Sequence, residues 1–345
     1  MKNCGRTIVG ICVMKQNALL SGALIAGSLV VLVAAVLAQI CFGAYPVALG
    51  QIVDLVCGNP VPEAVRDIVA SLRLPRAVAG VLVGANLSLA GAVFQTITHN
   101  EMASPYLLGV SQGAGLVISL VVVLAPILLP VLPVVAMVGG VVAFFAVYAI
   151  AWGRDGASPV RLVLAGVVFG AVTGGVQSAL QFFVEDLQTS RNAMTWLAGS
   201  LVGADWSSVR IILPWSLVSF AGIFALSRHL DMLLLGEQGA KTLGVPVNAI
   251  RFVLALFAVL ASASAVAAAG LVGFVGLIVP HIVRVFTGPR HARLLLGCLV
   301  AGPALLVAAD AVARIAFAPL QLPVGLVTGS LGGVFFLVLM KHRTR

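Results

Sequence analysis

Five stretches without a single Asp, Glu, Lys or Arg set the terms on which this chain can fold: Gln16 to Val53, Ala77 to Asn100, Met102 to Gly153, Leu162 to Val184 and Phe252 to Pro280. Each exceeds the roughly 20 residues with which a helix crosses a bilayer. Only 9% of all residues are charged and 61% are hydrophobic, whereas a soluble domain carries about 25% charged residues. Lipid offers backbone groups no hydrogen bonds, so each apolar segment must satisfy its own, which makes the spans helices.

Dividing the stretches at their Pro and Gly clusters predicts an all-α integral membrane protein of about ten transmembrane helices. They lie near 18–40, 77–97, 107–125, 134–152, 162–184, 210–227, 252–270, 271–286, 294–314 and 322–340. Gly270, Gly273, Gly276 and Pro280 make the eighth span a short or broken helix, whose irregular backbone must be covered by protein or line a cavity. The longest polar segments, about 43–76 and 185–209 outside and 228–251 inside, hold no further domain, so residues 1–345 read as one transmembrane domain.

A formal charge of +9 invites nucleic acid as a partner, but the basic residues sort by side of the membrane instead. With both termini cytoplasmic, all but six of the 20 Lys and Arg fall inside, the exceptions being Arg66, Arg73, Arg76, Arg191, Arg210 and Arg314. That satisfies the positive-inside rule. Lys2, Arg6 and Lys15 precede an apolar run as in a signal peptide, but the run outlasts a hydrophobic region of about 7–15 residues and reads as a retained first span. Cys4, Cys12, Cys41, Cys57 and Cys298 show no paired metal-ligand spacing. For Cys41 and Cys57, near the outer side, a disulfide and two small hydrophobes are both open readings.

The inner segment from Leu230 to Pro246 is too polar to span and too apolar for a plain linker. It predicts a short amphipathic helix with Leu234, Leu235, Ala240 and Leu243 on the apolar face, Gly244 as its stop and Pro246 beyond. Such a helix either lies on the membrane surface or is presented to a cytoplasmic partner. The sequence has no Gly-x-x-x-x-Gly-Lys-Ser/Thr loop to cradle nucleotide phosphates. Any ATP that drives this chain is therefore bound by another polypeptide.

A series of motifs follows in order: Leu72-Arg-Leu-Pro-Arg76, Gly91-Ala-Val-Phe-Gln95, Asn100-Glu-Met-Ala-Ser-Pro105, Leu108-Gly-Val-Ser-Gln-Gly113, Trp196-Leu-Ala-Gly-Ser200, the Gly236-to-Gly244 loop, Gly273-Phe-Val-Gly-Leu-Ile-Val-Pro-His281 with Arg284, Asp310-Ala-Val-Ala-Arg314, and Leu322-Pro-Val-Gly325. Together, from about Leu72 to Met340, they resemble the iron-chelate and cobalamin permease family of ATP-binding-cassette (ABC) importers. The resemblance implies the type II importer architecture, in which two ten-helix permease subunits, identical or paralogous, enclose a central pathway in a bacterial cytoplasmic membrane. It also implies two cytoplasmic ATPase subunits that bind ATP and Mg. A periplasmic or lipid-anchored binding protein would deliver the cargo, an iron-siderophore, haem, cobalamin or related metal chelate. The permease itself would be no enzyme and hold no cofactor. The stretches Phe94 to Asn100 and Met102 to Gly109 look more like ferric-siderophore permeases than cobalamin or haem ones.

By the same resemblance, Arg73, Arg76 and Arg314 form an outer docking site for acidic side chains of the binding protein. Taken singly, each arginine is better explained as an anchor that snorkels to the headgroups. Their convergence on one face favours docking, since a guanidinium grips a carboxylate bidentately. Leu235, Gly236, Glu237, Ala240, Leu243 and Gly244 would couple to the ATPase, and Asn100, Met102, Pro159 and Val160 would form a cytoplasmic gate. This chain departs from the commoner pattern by carrying Glu101 where Pro is frequent.

Asp310 lies inside an apolar span, where a charge costs about 2.5–3.5 kcal/mol on insertion scales. It therefore needs a partner, and Arg314, four residues on along the same face, is expected to form a structural ion pair with it. His281 reads as a hydrogen-bonded structural histidine, with no second His beside it to build a metal site. Gly84, Ala85, Ser88, Gly91, Gly166, Gly170, Gly174 and Gly175 recur at three- and four-residue spacings that allow close helix contact in lipid.

Two other classes compete. An ion-coupled secondary transporter places carboxylates near the midplane; only Asp310 qualifies, and Arg314 answers it. An intramembrane enzyme needs a nucleophile with a base, or a metal cluster, and no such constellation stands in the sequence.

Overall fold

A computed structural model of the chain describes residues 2–43, 45–153, 156–184, 187–316 and 321–343, with side chains described at all of these except 2–18, 187–192, 340 and 342–343. Lys2, Arg6, Lys15, Arg154, Arg191, Arg343, Arg345, Cys4 and Cys12 thus lie outside the described side chains.

The chain opens with α1 (Lys2–Cys41), then α2 (Leu49–Cys57), which ends on a left-handed Gly58, and α3 (Glu63–Asp67). A π-helical turn over Ile68–Arg73 joins α3 without a break to α4 (Leu74–Ile97). Next come α5 (Val110–Leu124), a 3-10 turn (Pro126–Val131) and α6 (Leu132–Ala151). A two-residue hairpin of β1 (Trp152–Gly153) and β2 (Gly156–Ala157) leads into α7 (Pro159–Gln181). There Pro159 sits in the first turn and Ser158 caps it, its hydroxyl accepting from the Arg161 amide at 3.3 Å.

The second half holds α8 (Leu187–Ala198), α9 (Trp206–Ala225), α10 (Ser227–Leu233), α11 (Gly236–Thr242), α12 (Val247–Ala269), α13 (Val275–Thr287), α14 (His291–Ile315) and α15 (Val324–Arg343). Among the described residues, seven helices are long and apolar enough to cross a membrane, and three shorter apolar ones, Val110–Leu124, Val275–Thr287 and Val324–Leu339, complete the ten expected spans. The second span differs in its start. The helical run begins at Glu63 rather than near 77, because the arginines that made this stretch look like a loop find partners against the bundle.

α4 is the axis of the molecule, 83% buried over its most apolar window and packed against α9, α12, α13 and α14. Small residues make this possible. A Cβ on Gly91 would run into the Gly276 carbonyl of α13, Gly84 abuts Gly302 of α14, and the Ser88 hydroxyl donates to the Cys298 carbonyl at 2.8 Å. Gly166 and Gly170 of α7 likewise meet the Leu107 carbonyl and the Gln112 side chain, whereas a Cβ on Gly174 or Gly175 would meet nothing among the described residues. Packing therefore explains the first part of the small-residue pattern and not the last.

The break expected around 271–286 is present. Between α12 and α13 the chain leaves helical geometry over residues 270–274, with Gly270 and Phe274 both at φ +66°. For Phe274 this left-handed backbone is uncommon. The peptide groups nearby are satisfied by other loops: Leu271 N donates to the Trp196 carbonyl at 3.1 Å, Ser200 N to the Ala269 carbonyl at 2.7 Å, and Gly325 N to the Gly199 carbonyl at 2.9 Å. Cys41 and Cys57 are both free thiols, so the disulfide reading falls.

Candidate functional site

The charged groups gather mainly at the two ends of the bundle, which are named outer and inner after the orientation that the positive-inside rule predicts. At the outer end, Asp310 of α14 is completely buried, and its ion pair is with Arg76 of α4. The Arg76 Nε and Nη2 reach the two carboxylate oxygens at 2.9 Å each, and Gln39 Nε2 of α1 adds a third hydrogen bond at 2.7 Å. This corrects the expected Asp310–Arg314 pair. A guanidinium from a facing helix approaches both oxygens as a fork, and with Gln39 it occupies the carboxylate. Arg314 turns to α1, donating to the Gln39 carbonyl at 3.0 Å.

Arg73 does likewise, donating to the carbonyls of Ile40, Cys41 and Tyr45. The last carbonyls of a helix have no intrahelical partner and carry its negative end, so Arg73 and Arg314 cap the C-terminus of α1. Arg73 and Arg76 are only 4% and 8% exposed. The three arginines do converge, lining a cavity of about 370 Å³ with Tyr45, Leu72 and Gln321. Its rim holds Asp205, the cap of α9, whose carboxylate hydrogen bonds from the Ser207 hydroxyl and the Ser208 amide hold below the usual range.

At the inner end, the expected amphipathic helix is two short ones. Gly236, at φ +83°, separates α10 from α11, and Gly244, at φ +77°, ends α11 as expected. The break turns the apolar residues to different sides: Leu230, Leu233 and Ala240 are buried in the core, whereas Leu234, Leu235 and Leu243 are exposed. Ala240 thus supports the loop from beneath, and the exposed leucines form its outer surface. Glu237 pairs with Lys241 at 2.9 Å, which together with Arg251 holds its carboxylate below the ordinary range.

The two segments expected to form a gate meet. Asn100, Pro159 and Val160 line one inner cavity of about 460 Å³ with Thr98, His99 and Leu164. Partial desolvation, reinforced by the Arg251 charge, lowers the His99 pKa. Met102 stands apart, exposed, its amide donating to the Asn100 side chain at 2.9 Å. Glu101 approaches His281 at 3.8 Å, and Phe335 packs edge-on against the same ring. No cluster of three metal-binding side chains exists among the described residues.

Three participants escaped sequence reasoning. Gln39 carried a signal, an amide in a span otherwise apolar. His291 falls between the spans expected near 271–286 and 294–314 but is completely buried, bonded to the Thr96 hydroxyl at 2.8 Å and to Asp231 at 2.7 Å. Arg251 looked like one cytoplasmic charge among many, yet it is buried between α11 and the hairpin before α7.

Among the described residues, a bundle of seven long and three short apolar helices with its charged groups mainly at its ends defines a multi-pass membrane protein. The FecCD transport family matches residues 30–342, and the chain belongs to it. It is 41% identical to the cobalamin import system permease protein BtuC of Halobacterium salinarum over 82% of this chain and 76% of the relative. It is 37% identical to the iron(3+)-hydroxamate import system permease protein FhuG of Bacillus subtilis (79% and 83% covered) and 36% to the hemin transport system permease protein HmuU of Yersinia pestis (81% and 85%). A metal-chelate type ABC transporter solved in an inward-facing conformation superposes with a TM-score of 0.82 at 25% identity, covering 93% of this chain and 99% of that one. The fold is that of a type II ABC importer permease, and the chain is the permease, not a catalytic subunit.

Proposed function

We propose that this permease carries a metal chelate, an iron-siderophore or a related haem or cobalamin complex, across a bacterial cytoplasmic membrane with both termini inside. The relatives' named cargoes, cobalamin, ferric hydroxamate and hemin, are all bulky metal complexes. A binding protein outside delivers the chelate, two ATPase subunits inside bind ATP and Mg, and a second permease copy, identical or paralogous, completes the pathway. The chain acts as one transmembrane domain that alternates between outward-open and inward-open forms. α7 fits the wall of that pathway, since only 22% of its window is buried and Gly174 and Gly175 face open space.

The observation that carries this reading is the loop at the inner end: Leu235 and Leu243, 63% and 59% exposed, flank Glu237 above a fully buried Ala240. Exposed leucines held on a buried pedestal suit a cleft on a partner protein better than water. At the other end, the positive field of Arg73, Arg76 and Arg314 around their cavity, rather than a free guanidinium fork, attracts acidic side chains of the binding protein. The test is uptake into proteoliposomes that contain the permease with its ATPase and binding protein, offered radiolabelled ferric siderophore, haem or cobalamin. ATP-dependent uptake of one class is expected, with no ATP hydrolysis by the permease alone. Uptake driven by a proton or sodium gradient without ATPase would favour the secondary transporter and sink the proposal.

A further inference from the structure

We infer that Arg251 is a positioning residue that ties the ATPase-facing helix α11 to the gate segment at the start of α7, an inference that rests on the coupling role proposed for α11. Arg251 heads the largest fully buried side chains of the molecule, at 2% exposure. It projects from the first turns of α12 and joins two elements remote in sequence. Its Nη1 donates to the Ala157 carbonyl at 2.8 Å, and its Nη2 lies 3.7 Å from Glu237 Oε2.

The Ala157 end of this link leads straight to the gate. Ala157 closes the β1–β2 hairpin opposite Trp152, Ser158 caps α7, and Pro159 and Val160 follow at the inner cavity. The hairpin and the first turn of α7 move as one piece, because Arg161 folds back to bond the Gly156 carbonyl and the Ser158 hydroxyl, each at 3.2 Å. A Cβ on Gly153 would collide with that guanidinium.

The Glu237 end lies on the outer surface of the coupling loop, half exposed and paired also with Lys241. A buried guanidinium held only for packing would be costly, and a hydrophobic residue of similar volume often serves as well or better. What a hydrophobe cannot do is hold a carboxylate on a helix and a carbonyl of the hairpin at once. A planar fork with five donors can. The Arg251 Nε has no partner and remains available as the fork shifts. Motion of α11 is thereby transmitted through Arg251 to the hairpin, and so to Pro159 and Val160.

The test uses the assembled complex of permease, ATPase and binding protein, with the native cysteines replaced by alanine. Thiol-modification rates are read at Leu243→Cys, on the coupling loop, and at Val160→Cys, in the gate. ATPase docking should protect Leu243→Cys, and ATP should change the rate at Val160→Cys. With Glu237→Gln or Arg251→Lys, which keeps the charge but not the fork, the protection should persist and the ATP response at Val160→Cys should vanish. Transport per ATP should fall about tenfold, the size of losing one charged hydrogen bond. An intact Val160→Cys response and normal transport in both variants overturns the relay while the coupling role of α11 stands. An unprotected Leu243→Cys in the otherwise unaltered complex overturns both together. Should Arg251→Lys fail to insert, Glu237→Gln, at the exposed end of the link, decides alone.

Discussion

The two ends of this bundle use charge in opposite ways. Outside, Arg73, Arg76, Asp310 and Gln39 are buried, and together with Arg314 they spend their hydrogen bonds on one another or on the carbonyls closing α1. Inside, Glu237, Lys241 and Asp231 are between 38% and 59% exposed, and Leu234, Leu235 and Leu243 face outward beside them. A buried, doubly bonded ion pair has no cheap alternative, whereas an exposed pair exchanges partners for a fraction of a kcal/mol. The outer end is built as a fixed platform and the inner end as a surface that rearranges.

The difference is broken most severely at Asp310. Arg76→Met leaves its carboxylate buried and unmatched except for Gln39, which should cost about 3–5 kcal/mol. A large drop in melting temperature in detergent checks this, and a melting point unchanged from the parent would show that the outer end is no platform. Gly91→Ala should be next, at about 1–3 kcal/mol for overpacking against the Gly276 carbonyl, again read as thermal stability. Leu243→Asp should leave the melting temperature unchanged but weaken ATPase association about tenfold, as for an interface anchor. Equal affinity in a binding titration would return the loop to the membrane surface.

The smallest effect on stability belongs to Glu237, whose i,i+4 pair with Lys241 is worth about 0.3–0.5 kcal/mol. Its native pKa is lowered, principally by the hydrogen bond from Lys241, so its stabilisation is fully present above the ordinary carboxylate value of 4.5. That contribution is lost as pH falls through the lower native value. Glu237→Gln should thus differ slightly from the parent at pH 7 and converge with it in acid, in thermal melts across pH.

Span positions were legible because lipid demands long apolar segments, whatever packs against them. The need of Asp310 for a partner was legible for the same reason. Its partner was not: Arg314 stands four residues away along the chain, but Arg76, 234 residues distant, arrives with better geometry. The start of the second span was missed because Arg66 and Arg73 read as loop residues until the carbonyls of α1 were there to receive Arg73. Patterning at Leu234, Leu235, Ala240 and Leu243 indicated an apolar helix face. Only the left-handed turn at Gly236 decides that Ala240 points inward and the leucines outward. His291 and Arg251 act through partners that no local spacing reveals.

The broken segment between α12 and α13 bears on how the chain enters the membrane during synthesis. α13 has 13 residues, which rise about 20 Å against a hydrocarbon thickness near 30 Å. Residues 270–274 fill the rest as non-helical backbone. Such a segment cannot be released into lipid alone, because its peptide groups would be stranded there. Around it, Leu271, Ser200 and Gly325 join the chain segments near 196–200, 269–271 and 325 through backbone hydrogen bonds. Of these, 325 is synthesised last, at the start of α15. Residues 270–274 can therefore dock on the segment near 196–200, which is synthesised before them, and residue 325, emerging last, completes the cluster by donating to the Gly199 carbonyl.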